Sequence, residues 1–145
     1  MNSGYTEYAR AIADEKRADV DFQQRLQRRS VPESSRKVVF LFKNRVVGLY
    51  KRLCNRFPET MDYWREYIAY LREIGLGTAV SSVYTQALRF HSRDPKVWTE
   101  YATAIVDGNA DIESARHVMA LAVETNPASE EMWLAYFAFE RDYID

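Results

Sequence analysis

The side chains that most often carry out chemistry are few in this sequence and lie far apart. The two histidines, His91 and His117, and the single cysteine, Cys54, do not form a spaced set. A zinc site usually needs four such ligands at short spacings, so these three side chains predict no metal site. Gly-Leu-Gly at 75–77 lacks the third glycine and the preceding strand of a phosphate-binding loop. We therefore expect a protein that is not an enzyme and has no cofactor, metal or small-molecule substrate.

Basic side chains, by contrast, are concentrated in one segment. Residues 16–56 contain twelve Lys and Arg against three acidic residues, a net charge of +9, whereas residues 57–145 carry a net charge of −8. A contact with RNA phosphates needs Lys or Arg at no fixed spacing, and a solvated helix face or an acidic protein partner would explain the same residues. We interpret Phe40 and Phe42 as core or interface residues rather than as a base-stacking platform. The candidate contact residues are Arg25, Arg28, Arg29, Arg36, Lys37, Lys43 and Arg45.

The composition indicates a folded domain. The chain has 145 residues, of which 47% are hydrophobic and 14% aromatic, and this is not the composition of a disordered segment. No apolar run approaches the roughly 18–20 residues of a membrane span, and the first ten residues lack the apolar core of a secretory signal. A single cysteine allows no intrachain disulfide and favours a reducing compartment. The sequence predicts a soluble intracellular domain with no membrane contact.

An aromatic pair recurs along the chain and indicates how the domain is built. Trp64, Trp98 and Trp133 stand 34 and 35 residues apart, and each is followed three residues later by a tyrosine. A second block repeats at the same steps as VVGLYKRLC (46–54), VSSVYTQAL (80–88) and ARHVMALAV (115–123). Both blocks have the i, i+3, i+4, i+7 spacing of an apolar helix face. One helix pair cannot enclose its own apolar face, so the recurrence predicts stacked antiparallel pairs, an all-α solenoid.

Glycine, proline and capping residues predict where the helices begin and end. Gly75 and Asp-Gly-Asn at 107–109 predict helix ends, and Asp94-Pro95 predicts an N-cap followed by proline at the first helical position. Helices are expected near 4–28, 34–56, 60–74, 78–92, 95–107, 111–125 and 129–143. Together they form one domain, 1–145. It comprises a degenerate basic unit with an insertion (1–57), repeats at 58–93 and 94–126, and a half repeat at 127–145.

The repeated positions also predict the core. Large aromatic residues on the first helix of each pair face small residues on the second, where the helices cross closely. Cys54 occupies the repeat position of Leu88 and Val123, so we interpret it as a small buried hydrophobe. Both histidines lie on or near the packing stripe and are interpreted as structural. The predicted repeat core consists of Trp64, Tyr67, Tyr84, Ala87, Trp98, Tyr101, Ala115, Val118, Ala122, Trp133 and Tyr136.

The last predicted helix has no second helix to complete its pair. Aromatic residues occupy most of its circumference, too much to bury on one side. Terminal repeats normally carry a polar outer face, and a large uncovered apolar face usually marks an interaction site. The alternative is that the chain was cut at this point. The candidate protein interface consists of Trp133, Phe137, Phe139 and Tyr143.

These residues resemble the half-a-tetratricopeptide (HAT) repeat, whose pattern has W-x-x-Y on the first helix and A-R-x-[IV]-[YF]-x-x-A-L on the second. Ala115-Arg116-His117-Val118-Met119 followed by Ala122 is similar to the second-helix pattern, with methionine replacing the aromatic residue. An ordinary tetratricopeptide repeat expects Leu-Gly three and four residues after the tryptophan, which this chain lacks. The stretches ALRFHSRDPKVWTEYA (87–102) and ESARHVMALAVETNP (113–127) resemble the U-three small nucleolar RNA-associated protein six family, a HAT subunit of the UTP-B subcomplex of the small-subunit processome.

This resemblance implies a right-handed α-solenoid and a non-enzymatic nucleolar scaffold that supports pre-18S rRNA processing and 40S ribosome biogenesis in the nucleus. The implied partners are other subunits of the subcomplex, namely WD-repeat proteins and their extended peptides, with pre-rRNA or snoRNA phosphates as a further partner. The alternatives are a HAT scaffold of pre-mRNA splicing or 3′-end processing, and a direct RNA-binding module that uses residues 25–56. Family members usually have a longer N-terminal extension and more repeats, so we expect a reduced relative or a fragment.

Overall fold

Helices account for all regular secondary structure in the parts of the chain that the computed structural model describes, residues 3–27 and 34–143. Within these ranges no strand occurs, and the predicted all-α class is confirmed. A short 3₁₀ helix, Gly77–Ala79, precedes the fourth α-helix. The α-helices are α1 (Ser3–Gln27), α2 (Ser34–Arg56), α3 (Met61–Glu73), α4 (Val80–His91), α5 (Pro95–Asn109), α6 (Ile112–Thr125) and α7 (Glu130–Tyr143).

The helices group into two compact units, residues 1–74 and residues 75–145. The sequence predicts a single domain in which 58–93 is one repeat, whereas the boundary between the units falls inside that segment, between α3 and α4. Gly75 lies at this boundary with φ +80°, a left-handed conformation that a residue without a Cβ adopts at low cost. The division into repeats therefore stays a prediction.

In the first unit, α2 packs against both α1 and α3. Tyr50 of α2 stacks on Tyr67 of α3 at a centroid distance of 5.7 Å and also lies 5.6 Å from the ring of Tyr70. Lys16 of α1 donates a hydrogen bond from Nζ to the Tyr50 hydroxyl at 2.9 Å, and its ammonium group lies 4.8 Å from the centre of the Tyr70 ring. The lysine therefore joins α1 to α2 and α3 through a hydrogen bond and a cation–π contact. Burial raises the pKa of Tyr70 to about 12, with a further contribution from the charge of Asp19, so this phenol stays neutral at neutral pH.

In the second unit, each helix from α4 to α7 packs on the next, and α7 also contacts α5. Small residues make this close packing possible, because alanine side chains let two helix backbones approach. Tyr84 of α4 stacks on Tyr101 of α5 at 5.5 Å, and the Tyr101 hydroxyl accepts a hydrogen bond from Thr85. The fully buried alanines of this unit are Ala87, Ala102, Ala115 and Ala122.

Each tryptophan of the repeated pair forms the same hydrogen bond, which the spacing of the repeat did not predict. The indole Nε1–H of Trp64 donates to the carbonyl of Pro58 at 2.9 Å, that of Trp98 to Ser92 at 2.8 Å, and that of Trp133 to Pro127 at 3.0 Å. The acceptor always lies six residues before the tryptophan, in the loop that leads into its helix. A buried indole N–H needs a partner, and here the partner is the preceding loop. Each tryptophan therefore connects its helix to the loop through which the chain enters that helix.

The helix ends follow from local capping. The Asp94 carboxylate accepts a hydrogen bond from the Lys96 amide at 3.0 Å, and Pro95 opens α5, which confirms the predicted N-cap and first-turn proline. The predicted helix end at residue 107 is two residues early, although the helix does end at the last residue of the predicted 107–109 stop. α5 continues through Asn109 and ends where Ala110 takes the left-handed conformation at φ 55°. Gly108 stays helical, because Ala110 rather than a glycine supplies the turn.

Candidate protein-interaction surfaces

The predicted core residues divide into a buried group and a partly exposed group. Tyr101, Val118 and Tyr136 are half-buried. Trp133 is 39% exposed, whereas Trp64 is 2% and Trp98 4% exposed, so Trp133 does not belong to the core. α5 and α6 contact α7, and together they leave the Trp133 side chain partly exposed. The buried members of the predicted set are Trp64, Tyr67, Tyr84, Ala87, Trp98, Ala115 and Ala122.

An apolar cluster, which we name the α7 face, lies on the outside of α7 and consists of Trp133, Leu134, Tyr136 and Phe137. Leu134 is 60% and Phe137 is 58% exposed. The Trp133 ring lies 6.1 Å from the Phe137 ring and 6.2 Å from the Tyr136 ring, and the last two rings are 5.7 Å apart. These distances are typical of interacting aromatic rings. The α7 face is thus one continuous aromatic surface with an aliphatic side chain beside it.

Two of the predicted interface residues, Phe139 and Tyr143, do not belong to the α7 face. Phe139 is 3% exposed, so its prediction as an interface residue is wrong. It lies seven residues after Met132, which is 0% exposed, and a seven-residue step returns to the same side of a helix. Tyr143 is half-buried, with its ring 4.6 Å from that of Phe139. Leu134 was not predicted as an interface residue, because the equivalent positions in the earlier copies are the polar residues Arg65 and Thr99.

The position of Phe137 is buried in both earlier copies of the repeat. Phe137 corresponds to Ile68, which is 2% exposed, and to Ala102, which is 0% exposed. In the second unit, Ala102 lies on α5, which packs against α4 and α6. Phe137 is therefore exposed at a repeat position that is buried in both earlier copies.

An ion pair helps to hold α7 in place. Arg116 of α6 donates a hydrogen bond from Nε to the Glu140 carboxylate of α7 at 3.2 Å, and its Nη1 lies 3.5 Å from a Glu113 oxygen. The hydrogen bond with Glu140 and its charge raise the pKa of Arg116, which keeps the guanidinium charged. This arginine belongs to the Ala-Arg pair of the second-helix pattern. Its contact with Glu140 connects α6 to α7.

The basic candidates lie on α1 and α2 where the structure describes them. Arg25, Lys37 and Arg45 are exposed, and Lys43 is half-buried. The predicted residues Arg28 and Arg29, and the side chain of Arg36, lie outside the described residues. Further along α2, three more basic side chains are exposed, namely Lys51, Arg52 and Arg56. α2 contains seven basic residues and no acidic one, so its exposed surface is strongly positive.

The cysteine and the histidines show no arrangement for chemistry. Cys54 is 1% exposed, and burial raises the pKa of its thiol to about 12, which disfavours the reactive thiolate at neutral pH. His91 is half-buried at the end of α4, and His117 is exposed on α6 rather than packed in the core. Among the described residues, no three His, Cys, Asp or Glu side chains are grouped so that they could hold a metal ion. In the same residues, no helix has the length and apolarity needed to cross a membrane.

The chain has the features of a helical-repeat protein. Its helices pack in pairs, a Trp-x-x-Tyr pair recurs every 34–35 residues, and each of these tryptophans donates a hydrogen bond to the loop before its helix. A family model described as the PRP39 N-terminal HAT repeat matches residues 40–145. The chain belongs to this HAT-repeat family. The resemblance drawn from the W-x-x-Y pattern is therefore confirmed, as is the α-solenoid class.

Individual relatives are similar over much of this chain but are far longer. The chain is 29% identical over 109 residues to the U3 small nucleolar RNA-associated protein 6 of Schizosaccharomyces pombe, which covers 75% of this chain and 21% of that protein. It is 26% identical over 97 residues to the U3 small nucleolar RNA-associated protein 6 homolog of Homo sapiens, which covers 67% of this chain and 16% of that protein. The chain therefore spans about a fifth of the length of these relatives or less. The similarity to this protein group, expected from residues 87–102 and 113–127, is confirmed.

Proposed function

We propose that this chain is a non-enzymatic scaffold segment of a U3 small nucleolar RNA-associated assembly, the small-subunit processome. In this role it supports pre-18S rRNA processing and 40S ribosome biogenesis in the nucleolus. The observation that carries the proposal is the 29% identity over 109 residues to a relative with U3 small nucleolar RNA association in its name. The match of residues 40–145 to a HAT-repeat family model supports a scaffold role.

In this proposal the α7 face binds another protein subunit of the assembly. Aromatic side chains dominate the binding energy of many interfaces, because they bury a large area and lose few rotatable bonds. Trp133 and Phe137 offer such side chains, 39% and 58% exposed, on a helix held by the Arg116–Glu140 contact. We propose an apolar segment of a neighbouring subunit as the occupant, supplied by a WD-repeat protein or one of its extended peptides.

Affinity purification tests this proposal. The tagged chain and a Trp133→Ala/Phe137→Ala variant would be purified from cells that express the chain naturally, and the co-purifying proteins quantified by mass spectrometry. We expect processome subunits with the parent chain and at least about a tenfold lower recovery with the variant, equivalent to about 1.4 kcal/mol of binding energy. The matched control, Ile112→Ala/Leu121→Ala, removes two exposed apolar side chains of α6 and should leave recovery unchanged.

The alternative functions predict other outcomes of the same experiment. Recovery of splicing or 3′-end processing proteins instead of processome subunits would contradict the assignment to this assembly. Direct RNA binding through residues 25–56 predicts recovery that depends on RNA, falls steeply with salt and is insensitive to the α7 variant. Unchanged recovery of processome subunits with the α7 variant would keep the assembly and reject the α7 face as its binding surface.

A further inference from the structure

A groove runs along the outside of α2 in the first unit. Its volume is about 390 Å³. Four of its lining residues, Leu41, Arg45, Gly48 and Arg52, follow one another at steps of four, three and four. These steps keep all four residues on one face of a helix, over three turns and roughly 16 Å. The groove is therefore long enough for a segment of about eleven helical residues, or fewer if the segment is extended.

Glycine keeps the middle of this groove open. No atom lies within 4 Å of a Cβ placed on Gly48, so a larger residue would meet no neighbour there. Glycine inside a helix is less stable than alanine by roughly 0.5–1 kcal/mol. The packing of α2 does not require a glycine at this position, and a larger side chain there would reduce the volume of the groove.

The lining of the groove combines apolar and positive side chains. Leu41 is 56% exposed and Leu49 is half-buried, and both line the groove. Arg45 and Arg52 are exposed along the same face. Glu15 of α1 is the one acidic residue of the lining. An exposed leucine beside arginines matches a partner that has both an apolar side chain and carboxylates.

These features favour a protein segment over RNA. Phosphate contacts need basic side chains but no apolar surface, whereas this groove also contains the exposed side chain of Leu41. Single-stranded RNA is usually held by aromatic side chains that stack on its bases, and none of the residues that line this groove is aromatic.

We propose that the α2 groove binds an acidic amphipathic protein segment. An aliphatic side chain of the segment lies over Gly48 and contacts Leu41 and Leu49, while its carboxylates pair with Arg45 and Arg52. Arginine suits this role because its planar guanidinium binds a carboxylate through two parallel hydrogen bonds. The inference rests on the proposed scaffold function and gives the chemistry of one partner, at a surface distinct from the α7 face.

Fluorescence anisotropy with the full chain tests the proposal. The probe is a labelled synthetic peptide of about eleven residues, matched to the groove length, made of glutamates with leucines on one helical side. A second peptide has serines in place of the leucines, and oligouridine of similar length serves as the RNA probe. We expect the leucine peptide to bind, and the serine peptide and oligouridine to bind at least about tenfold more weakly.

Two variants locate the binding site, each with a matched control. Gly48→Leu fills the groove, and Arg45→Glu/Arg52→Glu reverses its charge; each should weaken binding of the leucine peptide at least about tenfold. Gly108→Leu is the control for the first, because a Cβ at Gly108 also meets no atom within 4 Å. Arg72→Glu/Arg89→Glu, at two exposed arginines of α3 and α4, is the control for the second. Circular dichroism melting of each variant would show that the fold is retained.

Three results would overturn the proposal. These are no binding of the leucine peptide, equal binding of the leucine and serine peptides, and unchanged binding by a folded Gly48→Leu variant. Tighter binding of oligouridine that only the charge reversal removes would identify an RNA surface instead. Because the assay uses the isolated chain, its outcome does not depend on which assembly the affinity purification recovers.

Discussion

Replacing Trp98 by alanine should destabilise the second unit far more than the same change at Trp133. Trp98 is 4% exposed and lies on α5, which packs against α4 and α6, so its removal leaves a cavity in the interior. Replacing a buried tryptophan by alanine typically costs about 3–5 kcal/mol. This is a large part of the roughly 5–15 kcal/mol that stabilises an ordinary domain.

Trp133 provides the matched comparison within the same unit. Trp133 is 39% exposed, so the neighbouring helices cover only part of its ring. Replacing it by alanine should therefore lower the free energy of unfolding by about 1–3 kcal/mol through lost burial. Both tryptophans form the same indole-to-carbonyl hydrogen bond, at 2.8 Å and 3.0 Å. The difference between the two variants therefore reports burial rather than hydrogen bonding.

A third variant, Trp98→Phe, separates the hydrogen bond from the burial. The carbonyl of Ser92 also accepts a hydrogen bond from Asn126 Nδ2 at 2.7 Å, so it keeps a donor when the indole is removed. Loss of the indole hydrogen bond should therefore cost about 0.5–1.5 kcal/mol, with a further small cost for the reduced ring volume. The free energy of unfolding would be measured by urea titration with circular dichroism. Equal losses for Trp98→Ala and Trp133→Ala would refute the reasoning from burial.

Three further predictions concern single side chains. The pKa of Asp111 is lowered from its ordinary value of 3.8 by hydrogen bonds from Ser114, so this carboxylate stabilises the fold above pH 3.8 and loses that effect as the pH falls through its lowered value. The Asp111→Ala variant should therefore melt at a lower temperature than the parent chain at pH 6, and the two melting temperatures should become equal in strong acid. Equal melting temperatures at pH 6 would contradict the capping role. Cys54 should resist a thiol reagent in the native chain and react in urea, because it is 1% exposed and burial raises the pKa of its thiol to about 12. Rapid labelling without denaturant would contradict this prediction and show that the core around Cys54 opens. Gly48→Ala should stabilise the chain by about 0.5–1 kcal/mol in the same urea titration, and a loss of stability would mean that the glycine is needed for packing.

Most of the helical framework could be predicted from the sequence because its signals are local. The step of 34–35 residues between the tryptophans places the first helix of each pair, and the apolar spacing inside each block defines its length. The predicted end of α5 was less accurate. The helix ends where Ala110 takes the left-handed conformation, and no sequence pattern predicts that conformation for an alanine. The hydrogen bond from each indole was not predictable from spacing alone, because it depends on the path of the loop six residues earlier.

The surfaces could be predicted only in part, because exposure depends on which side of a helix its neighbours cover. The sequence indicated an apolar excess on the last helix but could not distinguish Phe137, which is 58% exposed, from Phe139, which is 3% exposed. The packing of α7 on α5 and α6 decides between them. Charge alone indicated the basic segment, whereas the groove beside Gly48 depends on how α1 lies against α2.

The most direct test of the scaffold function is the co-purification of the parent chain and of Trp133→Ala/Phe137→Ala under identical conditions. Our proposal predicts that the parent chain recovers small-subunit processome proteins and that the variant, folded by circular dichroism, recovers at least about tenfold less. Recovery of a different RNA-processing assembly, or of no assembly by the parent chain, would contradict it.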